Sequence, residues 1–483
     1  SGAAAPTPPT TPPSAAGLAL QTAASAAPAT TNTGANPTQA FGLVATAGLP
    51  VVTINSPPVV NFAVTDASGK HVPGLTLVKV AGAADPACST SATSTTGNVT
   101  VAIAKFDGSN WQSLISLQRY ATSTAGKNSV AEGLYDPKPT ATYNNPATVA
   151  MTVNSGTGKA TVTDQSSQIV GILTENATDG YYTYAFAIDV VMPLLFASAV
   201  DKRNSANGKV ANNGNVAAKD GTTIHRLGLQ LCYTDPASKA RVVVNPYLDF
   251  TLAADGTATP VTVSATDKTL KPYRQVVDKA SCNDCHQKLT AHGTRVDPNY
   301  CVICHNTGSK DYYTGNEIDF KLMIHKFHRG QDLLNDYQVT SNAAGNAKTT
   351  SSTGIVTGFV YPQDIRNCVK CHDGRANARH PTADGDNWKN KPGRNTCGAC
   401  HDGIDFATGG GTTITGATTG HAGGAQASDN NCANSGCHTG ASMPLKHALP
   451  LDSDATQRAM SASINNVEVG ATDGKVTVTF TMT

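Results

Sequence analysis

Ten of the twelve cysteines lie between Cys282 and Cys437, and they come in pairs. Four pairs are Cys-x-x-Cys followed at once by histidine. These are CNDCH (Cys282, Cys285, His286), CVICH (Cys301, Cys304, His305), CVKCH (Cys368, Cys371, His372) and CGACH (Cys397, Cys400, His401). The fifth, CANSGCH, puts four residues between Cys432 and Cys437 before His438. Two thiols at this spacing reach the two vinyl groups of one haem. The next residue then sits under the ring, where its imidazole binds iron. Zinc is the competing chemistry, but a zinc site draws on two cysteine pairs or on a distant histidine pair. Five pairs, each with its own adjacent histidine in a span of 157 residues, point to five c-type haems with these histidines as proximal ligands. In CANSGCH the two extra residues can loop out while both sulfurs still reach the vinyl groups.

The sixth ligand decides what such irons do. An open position binds substrate, whereas two strong ligands favour electron transfer. The same region holds six further histidines: His292, His325, His328, His380, His421 and His447. Six candidates for five irons suggest bis-histidine ligation throughout. His325 and His328 share one helical face in HKFH, between two motifs. His292 follows in CHQKLTAHG, and His421 and His447 flank the last motif. His380, in CHDGRANARHP, is the expected spare. With histidines in excess, Met323 and Met443 are read as packing.

One haem per roughly 31 residues leaves little polypeptide to insulate each group, so the macrocycles must lie close together. Residues 266–450 carry 19 Lys and Arg against 16 Asp and Glu. Ionised propionates would absorb that excess, so the cations read as propionate partners. A formal charge of +1 for the whole chain gives no case for nucleic acid.

These motifs must sit on something. Residues 1–40 are rich in Ala, Pro and Thr and read as a tether or extended arm. From 41 to 265 short alternating stretches, such as VVNFAVTD, GNVTVAIAKF, GYYTYAFAIDV and HRLGLQLCYTD, predict a mainly β sandwich or small barrel. Residues 147–164 predict a hairpin, and the polar stretch 200–221 a loop. Residues 266–450 lose strand periodicity and predict an irregular, haem-packed domain with short helices, DFKLMIHKFHRG among them. Residues 451–483 predict a C-terminal β-hairpin, which two strands alone stabilise poorly. It must pair with the first β-domain, with a further domain or with another molecule. Cys88 and Cys232 lie outside the motifs and form a disulfide candidate; His71 and His225 read as ordinary residues.

No apolar run reaches the roughly 18 residues of a spanning helix. Covalent haem attachment takes place outside the cytoplasm, so the expectation is an exported chain. It carries no signal peptide and reads as a mature form. An Ala/Pro/Thr tether often follows a lipidated cysteine, which leaves a lipid anchor open.

At HRLGLQL, KPYRQVVDKASCNDCHQKLTAHG, CVICHN, DFKLMIHKFHRG and CGACHDGIDF the chain resembles the outer-membrane multihaem cytochromes of metal-reducing bacteria, the OmcA/MtrC type. That resemblance implies alternating β and pentahaem domains, with His292, His325, His328, His421 and His447 at distal-ligand positions. It implies a Gram-negative cell surface, with outer-membrane conduit or periplasmic cytochromes as donors. Mineral oxides, electron shuttles or other cytochromes would be the acceptors. Family members usually carry ten haems in two modules, and this chain carries one module before its hairpin. A truncation, a surface monomer that reduces metal oxide and a homo-oligomeric filament subunit all stay open. So do a multihaem reductase with one open iron and a β-domain adhesin or mineral binder.

Overall fold

The computed structural model describes residues 40–42, 52–54, 58–65, 70–75, 99–120, 129–133, 136, 151–154, 159–162, 171–196, 209–234, 241–261, 275–311, 314–339, 346–350, 353, 356–434, 437–449, 462–470 and 474–482. The arm at 1–39 and Cys88 fall outside them.

Two sheets dominate the first half. One orders Ala40–Gly42, Val59–Thr65, Tyr181–Ala185 and Ile172–Asn176, with Val52–Thr53 also on Val59–Thr65. The other orders Ala258–Pro260, Tyr247–Leu252, His225–Thr234, Val99–Phe106 and Trp111–Ser113, with Arg241–Val244 also on His225–Thr234. Both supply one core. Phe62, Val64, Tyr182 and Tyr184 of the first sheet pack with Val101, Ile103, Leu227, Leu229 and Leu231 of the second. Burying large side chains from two facing sheets is what holds such a pair together. The strands lie in several separate sheets, and no described sheet closes on itself, so the barrel alternative fails. The 147–164 expectation corresponds to antiparallel Met151–Asn154 and Lys159–Val162. The stretch 200–221 is not all loop, because Lys209–Ala211 pairs with Ser116–Tyr120.

The second sheet is buried on both faces, which explains the unbroken apolar run VAIA. Val101 and Ile103 face the shared core. Ala102, Ala104 and Phe106 point the other way, against Tyr300, Ile303 and Cys304. The strand His225–Thr234 divides in the same manner. Leu227, Leu229, Leu231 and Tyr233 enter the core. Arg226, Gly228, Gln230 and Cys232 face the second half of the chain. Strand alternation thus makes this one strand the joint between the β-domain and the motif region.

Past residue 275 the helices are short: Lys279–His286, Pro298–Cys304, Phe320–Arg329, Asn387–Asn390, Arg394–Cys397 and Ser442–Lys446. Asp278, Asp297 and Asp319 each cap the helix that follows, accepting from a backbone N–H of its first turn. The region also holds a small antiparallel sheet of Tyr337–Gln338, Asn346–Thr350 and Val356–Gly358. Sequence periodicity misses it because the strands are two to five residues long.

At the C-terminus Ala462–Val469 pairs with Val476–Met482. The register sets Ala462, Ile464, Val467 and Val469 opposite Met482, Phe480, Val478 and Val476. A bulge at Asn465 restores the alternation, so one face is wholly apolar and the other carries Ser463, Thr481, Asn466, Thr479, Glu468 and Thr477. Every described residue of both strands is exposed.

Candidate haem-binding site

Each motif histidine faces one of the other histidines. His286 lies 6.1 Å from His328, His305 6.2 Å from His292, and His372 5.9 Å from His325, ring centre to ring centre. His401 lies 6.3 Å from His447, and His438 6.3 Å from His421. Two nitrogen–metal bonds of about 2 Å, plus about 1 Å from each nitrogen to its ring centre, place two imidazoles about 6 Å apart across one metal ion. All five separations fit a single iron held between two rings. Three pairs are near parallel, at 28°, 26° and 22°. Two are near perpendicular, both at 83°.

The local structure also selects the tautomer. Nδ1 of His305, His325, His328, His372, His421 and His447 donates to the carbonyl of Ile318, Lys321, Ile324, Val276, Gly424 and Met443, respectively. A proton fixed on Nδ1 leaves the Nε2 lone pair for a metal. Burial favours the neutral ring at His305, His325, His328 and His372. It pushes His372 down to about 4, helped by nearby His325, and lowers His305 and His325 as well. A neutral imidazole is the ligating form.

His380 is the histidine without an imidazole opposite. Its Nε2 lies 3.2 Å from Asp284 Oδ1. Asp284 also accepts from Lys370 Nζ at 2.7 Å and pairs with Arg379 at 3.2 Å. Asp284 and Lys370 are internal residues of CNDCH and CVKCH, so this ion pair ties the first motif to the third. Met323 packs beside the small Leu333–Tyr337–Ala347 cluster, and Met443 is buried, as packing residues would be.

Proximity orders the five sites. Burial raises the Cys282 thiol to about 12, with Cys371 and Asp297 nearby. Burial raises Cys301 to about 12, again beside Asp297 and with Cys282 near. Cys400, raised by burial to about 11, has Cys368 as a neighbour, and Cys397 has Cys432. Arg394 Nε donates to Asp429 Oδ1 at 2.8 Å and closes that last junction. These neighbours link the second motif to the first, the first to the third, the third to the fourth and the fourth to the fifth. The helix Phe320–Arg329 is the spine of this series. His325 and His328, three residues apart on one face, serve the third and first sites. Lys326 and Arg329 of the same helix lie near Cys400.

The second site is built by the β-domain. Arg226 is fully buried, and its guanidinium forks onto Asp249 at 2.7 and 2.8 Å. It lies 4.4 Å from the ring centres of both Trp111 and Tyr247. Its Nη1 donates to the Asn299 carbonyl and side-chain oxygen at the start of the Pro298–Cys304 helix. Beyond that helix's other end, Asn306 Oδ1 accepts from Ser113 N at 2.7 Å. Gly228 lets the helix seat, since a Cβ there would stand 2.4 Å from Ile303 Cδ1. His292, which faces His305, adopts φ 48°, a left-handed conformation that costs a non-glycine residue about 1 kcal/mol or more. Sequence reasoning missed Arg226 and Gln230, whose only signal was a polar residue at alternate positions of an apolar strand, and Asn245, which follows the Arg241–Val244 strand.

Among the described residues no group of three His, Cys, Asp or Glu converges on a metal position. The motif cysteines form no disulfides and do not gather as zinc ligands would. The donor set fits haem on a further count. Arg329 Nε, Asn387 Nδ2 and Trp388 Nε1 are buried without an acceptor among the described residues. Propionate oxygens would satisfy such donors. Cys232 is disulfide-bonded. His71 bonds Glu175 and His225 accepts from Ala218 N, both inside the β-domain.

Residues 274–448 match the family described as outer membrane cytochrome MtrC/MtrF-like, domains II/IV. Over 236 residues, 48% of this chain, the sequence is 27% identical to the multiheme cytochrome MtrC of Shewanella baltica (strain OS185). That match covers 25% of the relative, so the chain spans about a quarter of the curated protein it resembles. The crystal structure of the outer membrane decaheme cytochrome OmcA aligns with 90% of this chain and 51% of its own, at a TM-score of 0.46 and 17% identity.

Proposed function

We propose, for a chain that belongs through residues 274–448 to the MtrC/MtrF-like family of outer membrane cytochromes, that it carries electrons outside the cell along five bis-histidine c-type haems. The observation that carries this reading is the set of five histidine pairs, each 5.9–6.3 Å apart and each containing one motif histidine. Bound there, haem iron supplies reversible one-electron chemistry.

The residues do the rest. Cys282 and Cys285, Cys301 and Cys304, Cys368 and Cys371, Cys397 and Cys400, and Cys432 and Cys437 anchor the five groups. His286, His305, His372, His401 and His438 are the proximal ligands. His328, His292, His325, His447 and His421 face them in that order as distal ligands. With both histidines of each pair bound to one iron, no position would be left open for a substrate, which disfavours a reductase. The Phe320–Arg329 helix sets the first and third sites a turn apart, so the five sites form one continuous file. The second site ends the file against the β-domain, where Cys304 is buried. The fifth ends it at the surface, where Cys437 is exposed. The fifth site is thus the port for a donor cytochrome or an acceptor such as a shuttle or oxide. A Cys88–Cys232 disulfide suits an exported chain. Among the described residues no helix is long and apolar enough to cross a membrane, so attachment to the cell would use another part of the assembly or a lipid.

EPR of the ferric holoprotein tests this reading. Five haems per chain and only low-spin signals are expected. They should fall into two families, three near-parallel pairs and two near-perpendicular ones. A stoichiometric high-spin signal would sink bis-histidine ligation.

The hairpin favours a second, compatible reading, in which the chain is a subunit of a homopolymer. Ile464, Val467, Val478 and Phe480 line one face and are 45–70% exposed. A face so patterned is made to be buried, and strand addition to a second copy would bury it. Val478→Lys with Phe480→Lys is expected to leave the haem spectrum unchanged and reduce assemblies to monomers in light scattering. Unchanged assembly mass would remove the hairpin from the interface.

A further inference from the structure

The five pairs differ in how the second imidazole is held. His325 and His328 stand on a regular helix, each with Nδ1 bonded to a carbonyl one turn back. His447 bonds Met443 O at the end of its helix, and His421 bonds Gly424 O within its own turn. His292 departs from this pattern twice. Its backbone is left-handed at φ 48°, followed by Gly293 at φ 76°. Its Nδ1 has no carbonyl acceptor among the described residues.

What holds His292 is a short loop tied to the sheet. Ala291 and Arg295 close the loop as a β-bridge. Arg295 Nε donates to Gln230 Oε1 at 3.1 Å. Asn245 accepts from Val296 N at 2.6 Å and donates to Thr294 O at 3.1 Å. The ring is therefore presented by a strained backbone whose fixed points lie beyond it, on the β-domain. Backbone held in a sparsely populated region persists only while its surroundings enforce it. Opposite, His305 is anchored through Ile318 O, and the buried Cys304 abuts the sheet. The loop itself is exposed at residues 290–293.

We propose that His292 is a displaceable ligand, and that the second site takes a small neutral π-acceptor molecule of the carbon monoxide or nitric oxide type when reduced. His292 Nε2 would leave the iron as the added molecule takes its place, one bond for one bond, with no electron gained or lost. The proposal rests on the bis-histidine reading above. The two fail separately: high-spin ferric EPR overturns that reading, whereas low-spin protein that ignores the ligand overturns only this one.

The test is carbon monoxide titrated into fully reduced holoprotein. Wild type is expected to bind one molecule per chain. His292→Ala, which has no histidine to displace, should still bind one, and faster. Asn245→Ala, which loosens the loop without touching an imidazole, should bind about fivefold more tightly. No binding by wild type overturns the proposal. So does a second molecule bound by His292→Ala, which would place the labile iron elsewhere. Should His292→Ala fail to fold, Asn245→Ala decides: tighter binding supports the proposal and unchanged affinity overturns it.

Discussion

Arg226→Ala is expected to lower the unfolding free energy by about 3–5 kcal/mol, the usual cost of stranding one member of a buried ion pair. Arg226 is fully buried and Asp249 is 3% exposed, so water cannot replace the lost cation. The same change removes a stack between Trp111 and Tyr247 and frees the start of the helix that bears Cys301 and Cys304. A second variant separates these roles. Arg226→Met with Asp249→Leu removes both charges, and such replacements are often neutral for stability. Chemical denaturation should therefore show most of the loss restored. The hold on Asn299 is not restored, so the spectrum of the second site should remain altered in the double variant. If the double variant matched wild type in that spectrum as well, Arg226 would be a stabilising residue and not a positioning one. Lysine should not rescue, because it lacks the planar fork that meets both carboxylate oxygens of Asp249 and two oxygens of Asn299.

The sequence makes the motifs and their histidines legible and leaves the joints hidden. Cys-x-x-Cys-His declares itself because thioether geometry fixes the spacing within one short segment. The longer CANSGCH motif behaves as the other four do, since His438 and His421 stand at the same separation. HKFH could be placed on one helix face by its period, and that helix exists as Phe320–Arg329. Which motif each of its histidines would serve could not be read, because pairing joins segments far apart in the chain. His325 reaches His372, 47 residues on, while His328 turns back to His286. The joint was invisible for a related reason. HRLGLQLCYTD reads as one buried strand, but nothing local says that Arg226, Gly228, Gln230 and Cys232 meet another domain. The Asp284–Lys370 pair lies inside two motifs, where x positions look free. The small sheet after residue 337 escaped because its strands are too short to show a period.

Removing the third site is expected to divide the molecule. In the proposed file, ordered second, first, third, fourth, fifth, Cys368→Ala with Cys371→Ala takes out the middle member. The holoprotein should lose one haem of five by mass spectrometry. Electrons delivered at the exposed fifth site should then reduce the fourth and fifth groups at the normal rate and the first and second far more slowly. Removing an end member gives the contrast: Cys301→Ala with Cys304→Ala also costs one haem but should leave passage from the fifth site to the first intact. Were sequence order the spatial order, deletion of the second site would instead isolate the first. The two deletions therefore discriminate the order by rapid-mixing spectroscopy. Loss of fold is the competing cause of slow reduction, and His380→Ala supplies the control. That change breaks a contact with Asp284 at the same first–third junction but faces no motif imidazole. It should leave five haems, an unchanged low-spin spectrum and normal reduction of all sites. If His380→Ala slowed reduction as much as loss of the third site, the junction's packing, and not the continuity of the file, would govern the rate.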